Sequence, residues 1–244
     1  MDITETLLHE PADNERPVVA ADLEGTLTAG TTWHALRDYL ELNGSERVYR
    51  NFFWRRLPGI VGYRLGLGDR QKFKYEWIRD IWALFRGYSA EEVEELGEWV
   101  VEEELWPERR EAVLKELADY AEQGYRIVVV SGVAEPVLAA FVARMVTEVG
   151  MAPEAIGTPL AWETGSDGEE IFSGKFGGEL NIGKRKAAQL RPFAREGQIE
   201  AAYGDTAPDI PMLAMSQRPV AVAPDEGLRR EALARGWRII EGTG

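Results

Sequence analysis

Four groups of polar residues, far apart along the 244-residue chain, have types and spacings that could do chemistry. The first is Asp22-Leu23-Glu24-Gly25-Thr26, two carboxylates one residue apart. Asp22 could serve as a nucleophile or a metal ligand, and Glu24 as a general acid and base. Gly25 allows the chain to turn sharply after them. The second is Ser131-Gly132, where a hydroxyl and nearby backbone N–H groups can hold a phosphate oxygen. The third is Gly183-Lys184-Arg185, which offers the Lys184 ammonium to neutralise a phosphoryl group. The fourth is Gly204-Asp205-Thr206 with Asp209 four residues on, acids that can gather around a divalent cation. Each fragment alone also describes an ordinary turn, so the weight rests on their combination.

Their positions relative to the expected elements supply that combination. Short apolar runs read as buried parallel strands: Val18–Ala21, Ile127–Val130, Ile199–Tyr203 and Val220–Val222. Helical patterns alternate with them at Glu108–Glu122, Pro136–Glu148, Lys184–Arg195 and Pro208–Met215. This βαβ succession predicts an α/β fold, a doubly wound and mostly parallel sheet. Three of the four groups directly follow a strand, and in a parallel sheet those strand ends lie along one edge, where open α/β sheets bind ligands.

About 100 residues separate the first strand from the second and break the rhythm. Gln71–Phe85 places Phe73, Trp77, Ile78, Ile81, Trp82 and Phe85 at helical spacing, and Ser89 with Glu92 forms a capping-box signature ahead of Val93, Leu96 and Val100. Residues 31–106 are therefore expected to form an inserted helical cap, and residues 1–30 with 107–244 the core. Phe52, Phe53, Trp54, Trp77 and Trp82 are expected in the cap interior, and His34 in a packing or surface role. Residues 47–86 hold ten Lys and Arg against three Asp and Glu, whereas residues 87–124 hold three against thirteen. The basic segment, with Arg50, Arg55, Arg56, Arg64, Arg70, Lys72 and Lys74, is expected either to steer an anion inward or to pair with Glu91–Glu104. Trp162–Phe172 reads as a hairpin around Gly165-Ser166-Asp167-Gly168.

In the order Asp-x-Glu-Gly-Thr, Ser-Gly, Lys, Gly-Asp-x-x-x-Asp, the chain resembles the haloacid dehalogenase superfamily of phosphohydrolases. It is most similar to the branch related to phosphoserine phosphatases, whose helical cap sits between the first and second motifs. The resemblance runs from Pro17 onward and is closest over Tyr203–Leu213, with Pro219–Asp225 and Arg235-Gly236-Trp237 also similar. It implies that Asp22 is the nucleophile and becomes an aspartyl-phosphate. It implies Mg²⁺ held by Asp22, the backbone carbonyl of Glu24 and Asp205, phosphoryl oxygens held by Ser131 and Lys184, and support from Asp209. Lys186 is the less favoured stand-in for Lys184. One departure stands out, because the family's second acid is usually aspartate and here it is Glu24. The longer arm raises the alternative of a phosphotransferase that passes the group to an alcohol.

Composition limits the other classes. The 28 basic and 42 acidic residues give a net charge of −14, unsuited to wrapping a nucleic-acid backbone. The chain has no cysteine and two histidines, His9 and His34, which excludes thiolate chemistry and a His-rich zinc site. No apolar run approaches a membrane span, and the polar Met1–Arg16 does not read as a signal peptide, so a cytoplasmic location is expected. The expected activity is hydrolysis of a small phosphorylated metabolite. From another class, a non-catalytic phospho-ligand binding module remains the competing reading, while a dehalogenase would leave Asp205 and Asp209 without a task.

Overall fold

A computed structural model describes residues 16–64, 70–166 and 168–242. Met1–Glu15 and Asp167, together with the side chains of Arg64 and Arg70, lie outside the described residues, so the readings that fall on them, including His9 and the basic character of those two arginines, lie there too.

Among the described residues eight strands form: β1 (Val18–Ala21), β2 (Arg126–Ala134), β3 (Glu154–Thr158), β4 (Leu160–Thr164), β5 (Glu170–Phe176), β6 (Ile199–Gly204), β7 (Ser216–Val222) and β8 (Arg238–Ile240). Six of them make one sheet in the order β3-β2-β1-β6-β7-β8, with every neighbouring pair parallel. Alternate residues divide between two cores, as a two-residue period requires. Val19, Ala21, Val129, Ala201 and Tyr203 face one cluster, while Val18, Ala20, Val128, Val130 and Ala202 face the other. The helices α1 (Thr32–Leu42), α2 (Glu46–Arg64), α3 (Arg70–Trp82), α4 (Ala90–Val100), α5 (Glu111–Glu122) and α6 (Glu135–Arg144) precede those on the far side, α7 (Lys184–Leu190), α8 (Ile210–Leu213) and α9 (Glu226–Arg235). Helices α5 and α6 bury Leu117, Leu138 and Phe141 in the first cluster, and α7 to α9 bury Leu190, Leu213 and Leu228 in the second. The sheet is therefore doubly wound, as its strand pattern implies.

The expected elements differ from the observed ones at their ends, for local reasons. The helix expected from Glu108 starts at Glu111, because residues 108–110 pair back on the first loop: Ala29 N–H donates to Glu108 O at 2.9 Å and Arg110 N–H to Leu27 O at 2.7 Å. The helix expected to reach Arg195 stops at Leu190, where a 3₁₀ turn over Arg191–Phe193 begins ahead of Pro192. Pro208 and Pro211 likewise split the following segment into a 3₁₀ turn, Ala207–Asp209, and the short α8. The capping box at Ser89 and Glu92 forms, and Val93, Leu96 and Val100 are buried. Strands β4 and β5 form the expected antiparallel hairpin.

Helices α1 to α4 lie in the chain between β1 and β2. Their aromatic interior includes Phe52 and Trp77, with ring centroids 4.9 Å apart, and the buried Trp82, which meets Phe172 and Phe176 of β5. Trp54 departs from expectation: it is 63% exposed, pointing away from that interior. Arg50 pairs with Glu46, and Arg56 with Glu76 and Asp80. Those two cations are neutralised on α2 and α3 themselves, and Glu102 is met instead by Arg144 of α6. The entering and leaving stretches run side by side: Thr28 bridges Arg109, its hydroxyl donates to Leu105 O, and a Cβ on Gly30 would sit 2.5 Å from Glu104 O. Among the described residues no helix is long and apolar enough to cross a membrane.

Candidate active site

Strands β1 and β6 are neighbours, with Ala21 paired to Tyr203. Their next residues leave the sheet at the same edge, which brings Asp22 and Asp205 together from positions far apart in sequence. After Asp22 the chain turns tightly, with Leu27 N–H donating to Leu23 O at 2.8 Å and Gly25 N–H to Thr28 O at 2.7 Å. Gly25 has φ +82°, and a side chain there would overlap the Asp205 carboxylate. Glycine is thus required twice at this position, for its conformation and for its lack of a Cβ.

Asp209 enters the same group from the turn after β6. Its Oδ2 accepts from Thr206 N–H at 3.1 Å and from Thr206 Oγ1 at 2.9 Å, a capping arrangement that fixes the carboxylate. Gly204 makes room for it, since a Cβ there would lie 2.6 Å from Asp209 Cβ. Oxygen atoms of Asp22, Asp205 and Asp209 all lie within 4.8 Å of one another.

The balancing cation is Lys186. Its Nζ is 2.8 Å from Asp22 Oδ1 and 2.7 Å from Asp209 Oδ1, with only 3% of the side chain exposed. Lys184, the residue favoured from sequence, is exposed at the first position of α7. The helical period explains the correction: Lys186 and Leu190 stand four apart on one face, and Leu190 is fully buried, so that face turns inward. Leu190 was the signal available in sequence. Thr206 and Thr26, whose hydroxyl lies 3.4 Å from Asp205 Oδ1, are supporting groups that the motif reading did not single out.

Three carboxyls against one ammonium leave the cluster electrostatically unsatisfied. Burial, outweighing the Lys186 charge, pushes Asp22 up to about 6. Burial and the neighbouring Asp22 and Asp209 push Asp205 up to about 8. Burial opposes ionisation of Asp209 too, yet Lys186 and the Thr206 donors hold it below the usual carboxylate range. Lys186 is raised above the ordinary lysine value: burial works against its charge, and Asp209 and Asp22 overcome that. The donor set, hard carboxylate oxygens carrying surplus negative charge, fits a divalent cation such as Mg²⁺.

Two further groups border the cluster. Ala21 pairs with Val129 of β2, so Ser131 lies just beyond the level of Asp22 on the adjacent strand, and it is 2% exposed. The β2–β3 register shifts between Val130 and Ala134, which places Ser131 and Gly132 in an irregularity rather than past the strand's end. Glu24 is half-buried, and its Oε1 accepts the N–H of Thr32, the first residue of α1, at 2.5 Å. The structure thus brings Asp22, Asp205, Asp209 and Lys186 into contact, sets Ser131 and Gly132 on the adjoining strand, ties Glu24 to α1 and leaves Lys184 outside. A cavity of about 410 Å³ lies elsewhere, among Val48, Phe52, Arg55, Arg56, Asp80 and Leu84 of the helical segment.

Comparison with known proteins agrees with this geometry. The family model of haloacid dehalogenase-like hydrolases matches residues 19–214. A protein named phosphoserine phosphatase in Mycobacterium tuberculosis is 31% identical over 258 aligned residues, covering 95% of this chain and 78% of that one. The inhibition of morphological differentiation protein of Streptomyces azureus is also 31% identical, over 166 residues that span 65% of this chain and 55% of its own length. Among solved structures, a protein of unknown function from Bordetella pertussis Tohama I has the same fold, with a TM-score of 0.70 at 21% identity over 93% of this chain and 98% of that one.

Proposed function

Since the chain belongs to the haloacid dehalogenase-like hydrolases, in their phosphoserine-phosphatase-like branch, we propose that it hydrolyses a small phosphomonoester with the help of Mg²⁺, through an aspartyl-phosphate on Asp22. The observation that carries this reading is the Lys186 ammonium lodged between Asp22 and Asp209, beside Asp205.

In the first step an Asp22 carboxylate oxygen bonds to phosphorus as the ester P–O bond breaks, and Glu24 gives its proton to the departing alcohol oxygen. In the second, Glu24 takes a proton from water as the water oxygen bonds to phosphorus. The acyl-phosphate bond then breaks, and Asp22 and inorganic phosphate are released. Ser131, the Gly132 backbone and Lys186 hold the phosphoryl oxygens in line, which is most of what such a transfer needs. Asp22, Asp205 and the backbone carbonyl of Glu24 would hold Mg²⁺, with Asp209 fixing Lys186 beside it. Bound Mg²⁺ supplies positive charge against the phosphoryl oxygens. Helices α1 to α4, as the cap, would choose the alcohol part of the substrate.

The test is release of phosphate from an aryl phosphate and from a panel of phosphorylated metabolites, phosphoserine among them, with Mg²⁺ and with chelator. Turnover that needs Mg²⁺ and vanishes in Asp22→Asn supports the reading. Turnover undiminished in Asp22→Asn would overturn it. An added alcohol acceptor separates hydrolysis from transfer, because a transferase makes a new ester at the expense of free phosphate.

A further inference from the structure

Three segments that border the cluster are joined by buried polar side chains outside it. Thr158, at the end of β3, is fully buried, and its Oγ1 donates to Gly132 O at 3.0 Å. The same oxygen accepts from Asn181 N–H at 3.0 Å. Asn181 is 2% exposed, and its Nδ2 donates to Gly157 O at 2.9 Å and to Ile156 O at 3.3 Å. Against Gly132 itself, a Cβ would meet Ile182 Cγ1 at 3.3 Å and Asn181 O at 3.7 Å. Asn181 lies five residues before Lys186 in the segment that opens α7.

We propose that Thr158 and Asn181 are positioning residues that lock the Ser131–Gly132 turn and the Lys186 helix into one rigid phosphate cradle. This rests on the phosphatase reading above. Gly132 has no Cβ and lies where β2 breaks register with β3, so its own backbone preference does not fix the turn. The Thr158 hydroxyl fixes it by holding the Gly132 carbonyl. Asn181 then holds Thr158 from one side and the β3 carbonyls from the other, so the start of α7 moves with β3. Lys186 and the Ser131 turn, which reach the phosphoryl group from different elements, keep a constant separation.

The chemistry of Asn181 indicates a role beyond packing. Its Oδ1 is buried without a hydrogen-bond partner among the described residues. A buried acceptor left unpaired opposes folding. An apolar residue would avoid that cost, but it could not clamp the Ile156 and Gly157 carbonyls. Thr158 is similar in kind: valine has nearly its shape and lacks only the hydroxyl that reaches Gly132.

The experiment compares Thr158→Val, Thr158→Ser, Asn181→Ala, Ser131→Ala and the Ser131→Ala/Thr158→Val double variant. KM and kcat for an aryl phosphate, and inorganic-phosphate affinity by calorimetry with Mg²⁺, are measured well below each variant's Tm. Thr158→Val and Asn181→Ala are expected to weaken phosphate binding and raise KM by roughly tenfold, the scale of one lost hydrogen bond. Thr158→Ser is expected to restore both. Thr158→Val should cost much less when Ser131 is already alanine, since the two act on one turn. If Thr158→Val lowers only Tm, or its effect adds fully to that of Ser131→Ala, the inference fails while the phosphatase reading stands. If Ser131→Ala itself leaves phosphate affinity and KM unchanged, the role of the turn fails, and the inference with it.

Discussion

Lys186 Nζ lies 2.8 Å from Asp22 Oδ1, and the side chain that makes this contact is nearly sealed from solvent. Buried ammonium and buried carboxylate depend on each other, because either left alone is an unpaired charge in a medium of low dielectric constant.

Removing Lys186 should therefore have two effects that removing Lys184 does not. Lys186→Met is expected to lower Tm, by the equivalent of about 3–5 kcal/mol for a broken buried pair, and to abolish measurable turnover at a temperature where it remains folded. Lys184→Gln, altering an exposed side chain, should stay within about 0.5 kcal/mol in stability and keep its activity. Calorimetry and an aryl-phosphate assay on both variants decide the matter, and the reverse pattern would restore Lys184 to the role expected from sequence.

Gly25→Ala should be damaging out of proportion to one methyl group. The backbone there has φ +82°, which costs an L-residue about 1–2 kcal/mol, and the new Cβ would displace Asp205. The expected result is a lower Tm together with weaker Mg²⁺ binding, read by titration calorimetry. Unchanged Mg²⁺ affinity would separate Asp205 from the metal.

Glu24→Gln retains an oxygen to accept the Thr32 N–H but carries no transferable proton. Turnover should fall by roughly 10²–10⁴, the usual contribution of a general acid or base. Acid-quenched protein should then hold phosphate covalently on Asp22, because the water step is slowed. Glu24→Asp, one methylene shorter, is expected to lose the contact with α1 while keeping a proton. Its activity relative to the parent measures how much that contact matters.

Stability of the metal-free protein should fall as pH rises from about 5 to about 8. Asp22 and Asp205 have folded-state values of about 6 and about 8, above the 3.8 of an unperturbed aspartate. Folding thus favours their protonated forms, and that contribution is complete below the unfolded value and lost as pH climbs through the folded ones. Asp209, held down, has the opposite sign and matters only in acid. Mg²⁺ binds the ionised forms, so its increase in Tm should be larger at pH 8 than at pH 5. In Asp205→Asn the fall should end near pH 6, where Asp22 ionises, while the parent goes on losing stability to about pH 8; identical profiles would remove Asp205 from the effect.

Much of this architecture was legible because its causes are local. Val18–Ala21 and Ile199–Tyr203 are β-branched or small apolar runs followed at once by acids, and such a run is a buried strand with a polar exit. The aromatic interior of α1 to α4 was legible from helical spacing at Trp77 and Trp82. What escaped depends on contacts between distant segments. Strand β3, Glu154–Thr158, carries a glutamate and a glycine, and it is a strand because β2 lies beside it. The choice between Lys184 and Lys186 turns on which face of α7 meets the sheet, and the motif as a spacing rule does not contain that information. Trp54 looked like core by type, but α2 turns it outward.

The paired linkers at Thr28–Arg109 and Ala29–Glu108 have a consequence for engineering. A loop whose two stems are stitched together behaves like a cassette on a fixed mount. Changes of length inside it would leave that mount in place so long as the hold of α1 on Glu24 and the packing of Trp82 on Phe172 and Phe176 are kept.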